Sequence, residues 1–133
     1  MRVFVDTNVL VSAFTARGLC ADLFQAILAD HVPVVSETVL AEFEAVLQSK
    51  FRHAGAAASE RVKFLRRFCE LAPAGATRAI AGIDAQDRKV IADALAGQAD
   101  ALVTGDQAML SLESVDRMPL LSPRQLWDAL RVA

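Results

Sequence analysis

Cysteine and histidine are scarce in this chain, two of each. Cys20, Cys69, His31 and His53 share no metal-ligand spacing, which argues against a structural zinc site. Neither histidine neighbours a candidate nucleophile, so no Ser-His-Asp or Cys-His arrangement suggests itself, and both read as structural or surface residues. The cysteines lie in apolar, helix-like contexts and read as buried free thiols of a reducing cytosol. Glycine is sparse too, and neither a Walker loop nor a dinucleotide fingerprint is present. No apolar run approaches the ~20 residues that span a bilayer. The first ten residues, MRVFVDTNVL, meet Asp6 too soon for the apolar region of a secretory signal. The expectation is a cytoplasmic protein that neither enters nor crosses a membrane.

What remains is a chain of 133 residues, long enough for one core, and with no linker it reads as one domain over 1–133. Hydrophobic residues make up 54 %, with alanine supplying much of the excess over an ordinary domain. The net charge of −2 removes a bulk electrostatic case for nucleic acid. The distribution is less even. Lys50, Arg52, Arg61, Lys63, Arg66 and Arg67 fall in a stretch whose one acid is Glu60. They form either a solvated helix face or a phosphate-contacting rim beside an acidic centre.

Strand-like runs at Arg2–Val5, Val32–Val35, Ala101–Thr104 and around Leu120 alternate with helical patterns. Helices are expected over Thr7 to about Ala16, Ala21–Asp30, the segment after Ser36, 59–71, Ala85–Leu95, 107–113 and after Pro123. After Ser36 the stripe is Val39, Leu40, Phe43, Val46 and Leu47; over 59–71 it is Val62, Leu65, Phe68 and Cys69. Alternation of this kind predicts an α/β fold, a parallel sheet flanked by helices.

Two strands run directly into acids: Val3-Phe4-Val5 into Asp6-Thr7-Asn8, and Leu102-Val103 into Thr104-Gly105-Asp106. Ligands of open parallel sheets gather at the carboxyl ends of the strands. Carboxylates brought together there repel one another, and a divalent cation is the usual compensation. Asp84-Ala85-Gln86-Asp87 opens a helix; it reads as a capping box, compatibly with Asp87 also facing an acidic pocket. Glu42 and Glu44 border the two sides of the apolar stripe after Ser36, and helix geometry does not choose between them. An all-oxygen donor set of this kind suits Mg²⁺ or Mn²⁺.

These segments resemble the PIN-domain nucleases. VFVDTNVLVSAF, SETVLAEFEAVLQSKF and IDAQDRKVIADALAGQADALVTGDQAML are similar to that family's successive blocks, in order and over most of the chain. Within the family the likeness is nearest to bacterial and archaeal VapC-like proteins assigned as toxins of toxin–antitoxin pairs. The resemblance implies a single PIN-like α/β/α domain with a central parallel sheet of four to five strands. It implies an endoribonuclease using Mg²⁺ or Mn²⁺, with Asp6, Glu42, Asp87 and Asp106 as catalytic and metal-holding acids; the preference for Glu42 over Glu44 comes from the resemblance. Asn8 and Thr104 match supporting polar positions that orient carboxylates, or else serve as turn and cap residues. RNA as substrate, an antitoxin protein as partner and a homodimer are implied as well.

Other small α/β classes fit less well. A phosphoacceptor signalling domain needs a lysine where Thr104-Gly105-Asp106 stands, and a haloacid-dehalogenase-type phosphatase needs an aspartate where Asn8 stands. A non-catalytic RNA- or protein-binding module on a nuclease fold is the alternative to an enzyme, and the intact acids argue against it.

Overall fold

The computed structural model describes residues 1–51 and 55–132. Arg52 and His53, read above as a member of the basic stretch and a structural or surface histidine, lie outside the described residues.

The first half of the chain runs β1 (Arg2–Val5), α1 (Thr7–Thr15), α2 (Leu19–Asp30), β2 (Val32–Val35), α3 (Glu37–Lys50), α4 (Gly55–Phe68) and β3 (Glu70–Leu71). The second half runs α5 (Ala85–Ala96), β4 (Ala101–Val103), α6 (Gln107–Leu110), β5 (Ser114–Val115), β6 (Met118–Leu121) and α7 (Pro123–Val132). The strands form one sheet in the order β3-β2-β1-β4-β6-β5, flanked by the helices in an α/β/α arrangement. Five of the strands are mutually parallel, and β5 alone runs antiparallel, to β6.

Central position explains the composition of β1 and β4. Val3, Phe4, Val5, Leu102 and Val103 are fully buried, as expected of strands covered on both faces, whose sequences are apolar without alternation. Pro33 sits in β2, which is not an edge strand. It is tolerated because β3 pairs with β2 only at Val34 and Val35, so no ladder bond beside Pro33 is lost on that side. From β1 the chain winds outward through β2 and β3, then returns to the other side of β1 with β4. The boundary between β1 and β4 is therefore the topological switch point, where a crevice opens at the carboxyl ends of a parallel sheet.

Most expected elements form within a residue or two of their expected bounds. The helix expected over 59–71 is displaced. It begins at Gly55, because the alanine run that carried no assignment has the highest helix propensity of any residue type. It ends at Phe68, and the chain straightens into β3, an element that periodicity had absorbed into the helix. Phe68, expected to face inward, is exposed, whereas Leu65 and Cys69 are buried. The β5–β6 hairpin was also unforeseen. Its two-residue turn is Asp116-Arg117, both at positive φ (50° and 74°), a conformation usually announced by Asn-Gly or Asp-Gly.

Both cysteines are free: Cys69 is buried, which pushes its thiol up to about 12, and Cys20 is only half-buried. Gly75 lies against α5. A Cβ there would collide with the carbonyl of Ala92, and its N–H donates to the buried carboxylate of Asp93 at 2.9 Å, tying the 72–80 segment to α5. Among the described residues no single helix is long and apolar enough to cross a membrane.

Candidate active site

Parallel pairing of β1 with β4 sets Val5 beside Val103, so the residues that follow them leave the sheet at the same edge. The Asp6 N–H donates to the Val103 carbonyl at 3.0 Å, which carries the ladder one step past the strand end. Asp6 then turns the chain into α1 as its N-cap, with Oδ1 accepting from the Thr7 N–H at 2.8 Å. Its other oxygen, Oδ2, accepts from the Thr104 hydroxyl at 2.8 Å and from Asn8 Nδ2 at 3.1 Å. This carboxylate is almost wholly buried.

Asn8 and Thr104 lie on either side of the β1/β4 boundary. Each donates to Asp6, and each also fastens the loop after β4. Asn8 Oδ1 accepts from the Gly105 N–H at 2.8 Å, and Thr104 Oγ1 accepts from the Asp106 N–H at 3.1 Å. Asp106 in turn caps α6 through the Met109 N–H at 3.1 Å. Asp6 and Asp106 are thus joined through a single buried hydroxyl, that of Thr104. Thr7, on the same turn, is the residue whose buried hydroxyl finds no partner among the described residues.

The other two acids arrive on helices. Ser36 caps α3 through the Val39 N–H, and Glu42 follows in the second turn, half-buried. Asp84 caps α5 by accepting from the Asp87 N–H at 2.8 Å, which leaves the Asp87 carboxylate without a hydrogen bond among the described residues. Gln86 donates to Glu42 Oε2 at 2.9 Å and links α5 to α3. Sequence reading passed over Gln86; the only available signal was its place between two acids in a helix's first turn. Glu44 lies toward Arg66, whose charge it helps to hold, and takes no part in the cluster.

Electrostatics shows that the four acids share one region. Asp87 is pushed up to about 6, first by burial and then by the charges of Asp84, Asp106, Asp6 and Glu42. Asp6 is also raised, mainly by burial and in part by Glu42, against the opposing hydrogen bonds from Thr104, Thr7 and Asn8. Among the described residues, no three Asp, Glu, His or Cys side chains close tightly enough to form a coordination shell as they stand. Mutual repulsion of uncompensated carboxylates favours such separation. The donor set still fits a hard divalent ion: oxygen ligands only, one of them oriented by three donors, with burial and neighbouring negative charge raising the proton affinity of Asp87 and Asp6.

A family model described as PIN domain matches residues 2–108. No curated protein matches the sequence. Among solved structures, the chain is similar to VapBC2 of Rickettsia felis bound to a promoter DNA fragment, at 19% identity and TM-score 0.68, with 92% of this chain and 98% of that one covered. It is similar to VapC20 of Mycobacterium tuberculosis, a toxin that cleaves the sarcin-ricin loop, at 17% identity and TM-score 0.62, covering 88% and 99%. It is also similar to VapBC-1 of nontypeable Haemophilus influenzae, at 14% identity and TM-score 0.59, covering 93% and 99%. At these identities the likeness is one of fold.

Proposed function

This chain belongs to the PIN domain family, and from that premise we propose that it is an Mg²⁺- or Mn²⁺-dependent endoribonuclease, the toxin of a type II toxin–antitoxin pair. The observation that carries the reading is that Asp6 and the Thr104-Gly105-Asp106 turn leave the sheet at the β1/β4 switch point, while half-buried Asp87 feels the charges of Asp84, Asp106, Asp6 and Glu42. In this reading the whole of 1–133 is one nuclease domain. The fold neighbours lend the biological setting: VapC20 is a toxin that cleaves the sarcin-ricin loop, and VapBC2 is bound to DNA from its promoter. An antitoxin partner and a homodimer follow as part of the same proposal.

Asp6, Asp106, Asp87 and Glu42 are the residues that would hold the ion. When bound, it supplies activation of water for attack on a phosphodiester and offsets charge on the phosphate. The protein's own contribution is order. Thr7, Asn8 and Thr104 lock the Asp6 carboxylate, and Gln86 restrains Glu42. The Asp87 carboxylate, without a hydrogen bond among the described residues and raised to about 6, holds a proton more readily than an ordinary carboxylate when no cation is present. A positively charged or protonated centre accepts a phosphate where four bare carboxylates would repel it.

The alternative, a non-catalytic RNA- or protein-binding module on the same fold, draws on the open arrangement of the carboxylates. One assay separates the two. Labelled RNA incubated with the purified chain is expected to be cut with Mg²⁺ or Mn²⁺ and left whole in EDTA. Intact RNA under all three conditions would remove the nuclease reading.

A further inference from the structure

The basic stretch of the sequence acquires a definite surface once α4 packs beside α1. Phe14 on α1 and Arg61, Lys63, Phe64, Arg67 and Phe68 on α4 line a groove of roughly 630 Å³. Phe14 sits beneath it, with its ring edge-on against Phe43 of α3 and Phe64 of α4. Phe64 and Phe68 form a tilted pair 4.7 Å apart and are 38% and 51% exposed, and the Arg67 guanidinium lies 5.4 Å from the Phe68 ring centre. Lys63 is partly offset by Glu60, and Arg66 is engaged with Glu37 of α3. Arg61 and Arg67 have no carboxylate partner among the described residues.

None of the four acids lines this groove, but α1 and α3 connect it to Asp6 and Glu42. Asp6 caps the first turn of α1 and Phe14 lies in its last, a span of about 12 Å at 1.5 Å per residue. Phe43, against which Phe14 packs, directly follows Glu42. The groove's lining is half charged, a poor seat for the apolar stripe of a partner helix. Exposed rings interleaved with cations match instead the alternation of bases and phosphates along a single nucleic-acid strand. The chain as a whole is acidic, so this local excess of positive charge is a feature of the face and not of the protein.

We infer that the α1–α4 groove is a binding subsite for single-stranded RNA, with bases stacking on Phe64 and Phe68 and phosphates meeting Arg61 and Arg67. It guides the strand toward the acidic cluster. The inference rests on the ribonuclease reading and adds to it the path by which substrate approaches.

The test is the anisotropy of a fluorescein-labelled twelve-nucleotide single-stranded RNA titrated with the full chain in EDTA, where cleavage is suppressed. The double variant Phe64→Leu/Phe68→Leu keeps apolar bulk but removes the π-faces, and should bind at least about tenfold more weakly. Phe68→Leu alone, at the more exposed ring, should lose about fivefold and guards against a folding defect at Phe64. Arg61→Gln/Arg67→Gln should reduce the slope of log affinity against log salt by about 1.4. With Mn²⁺ present, a dinucleotide too short to span groove and site should be cut equally by wild type and the leucine variants. If wild type binds and cuts RNA while the leucine variants bind it as tightly, the groove inference is overturned and the nuclease stands. If wild type neither binds nor cuts, both fall. If the leucine variants keep RNA affinity but lose self-association in sedimentation, the face belongs to a second copy and the inference is again overturned.

Discussion

Two charged regions of this molecule are built in opposite ways. The acidic region is anchored by backbone: Asp6 continues a central strand and caps a helix, and Thr104 and Asn8 tie it to the loop after a second central strand. The basic region is carried by side chains alone, on one exposed face of α4, with aromatic rings between the cations and few hydrogen bonds. The first holds like charges together against their repulsion and so stores a demand for positive charge. The second holds cations in water at little cost, ready for a polyanion. A site for chemistry needs fixed geometry, whereas a surface that guides a flexible strand needs charge and stacking more than precision.

The sharpest way to break the comparison is at Asp6. Asp6→Asn keeps the cap to Thr7 but removes the charge, and should lower RNA cleavage at least about a hundredfold, some 2.7 kcal/mol of barrier. It should also lose most of the rise in melting temperature that Mn²⁺ gives the wild type, about 2.7 kcal/mol at a hundred times the dissociation constant. Without metal, relief of the buried charge offsets the bonds that the new amide cannot accept from Thr104 and Asn8, so its melting point should stay close to that of wild type. An unchanged Mn²⁺ shift with a lower metal-free melting point would make Asp6 a structural cap only.

Thr104 tests the hydroxyl that joins two of the acids. Thr104→Val removes one of the three donors to the buried Asp6 carboxylate and the acceptor of the Asp106 N–H, a loss of about 1–3 kcal/mol with activity falling alongside. Thr104→Ser should restore both. Denaturant unfolding together with a cleavage assay reads the pair, and wild-type behaviour of the valine variant would deny the linkage.

Asp87 gives a smaller, pH-dependent effect. Its folded value, about 6, lies above the ordinary 3.8, so the folded chain binds the extra proton more tightly than the unfolded chain does. That contribution is fully present below about pH 4 and is lost as pH rises through about 6. Asp6, also raised, acts in the same direction. Thermal melts in EDTA should show wild type losing stability over this window. Asp87→Asn should lose less, matching wild type near pH 4 and exceeding it near pH 7. Identical pH profiles would mean that neither burial nor neighbouring charge raises Asp87.

The least effect is expected in the basic region's own ion pair. Arg66 meets Glu37 through both nitrogens at 2.7 and 2.8 Å, but the two side chains are about half exposed or more. Arg66→Gln should cost about 0.5 kcal/mol or less, fading with added salt, when measured by urea unfolding. A loss as large as that of Thr104→Val would erase the proposed difference between the regions.

The two regions also differ in how far they could be read from the residues alone. Apolar runs ending in Asp6 and in Thr104-Gly105-Asp106, the cap residues Ser36 and Asp84, and the alternation of strands with helices all express local rules of backbone geometry and propensity. These determined the parallel α/β fold and delivered the acids to strand ends and helix starts. Tertiary structure decided the rest. Only the β1–β4 pairing shows that Asp6 and Asp106 leave the same edge, and only packing gives Gln86 to Glu42 and turns Glu44 toward Arg66. Periodicity marked Phe68 as inward because it cannot know where a helix stops, and it missed β3 and the Asp116-Arg117 hairpin for want of length or turn residues. Exposure is a property of what a face meets, and a sequence states which residues share a face but not what covers it.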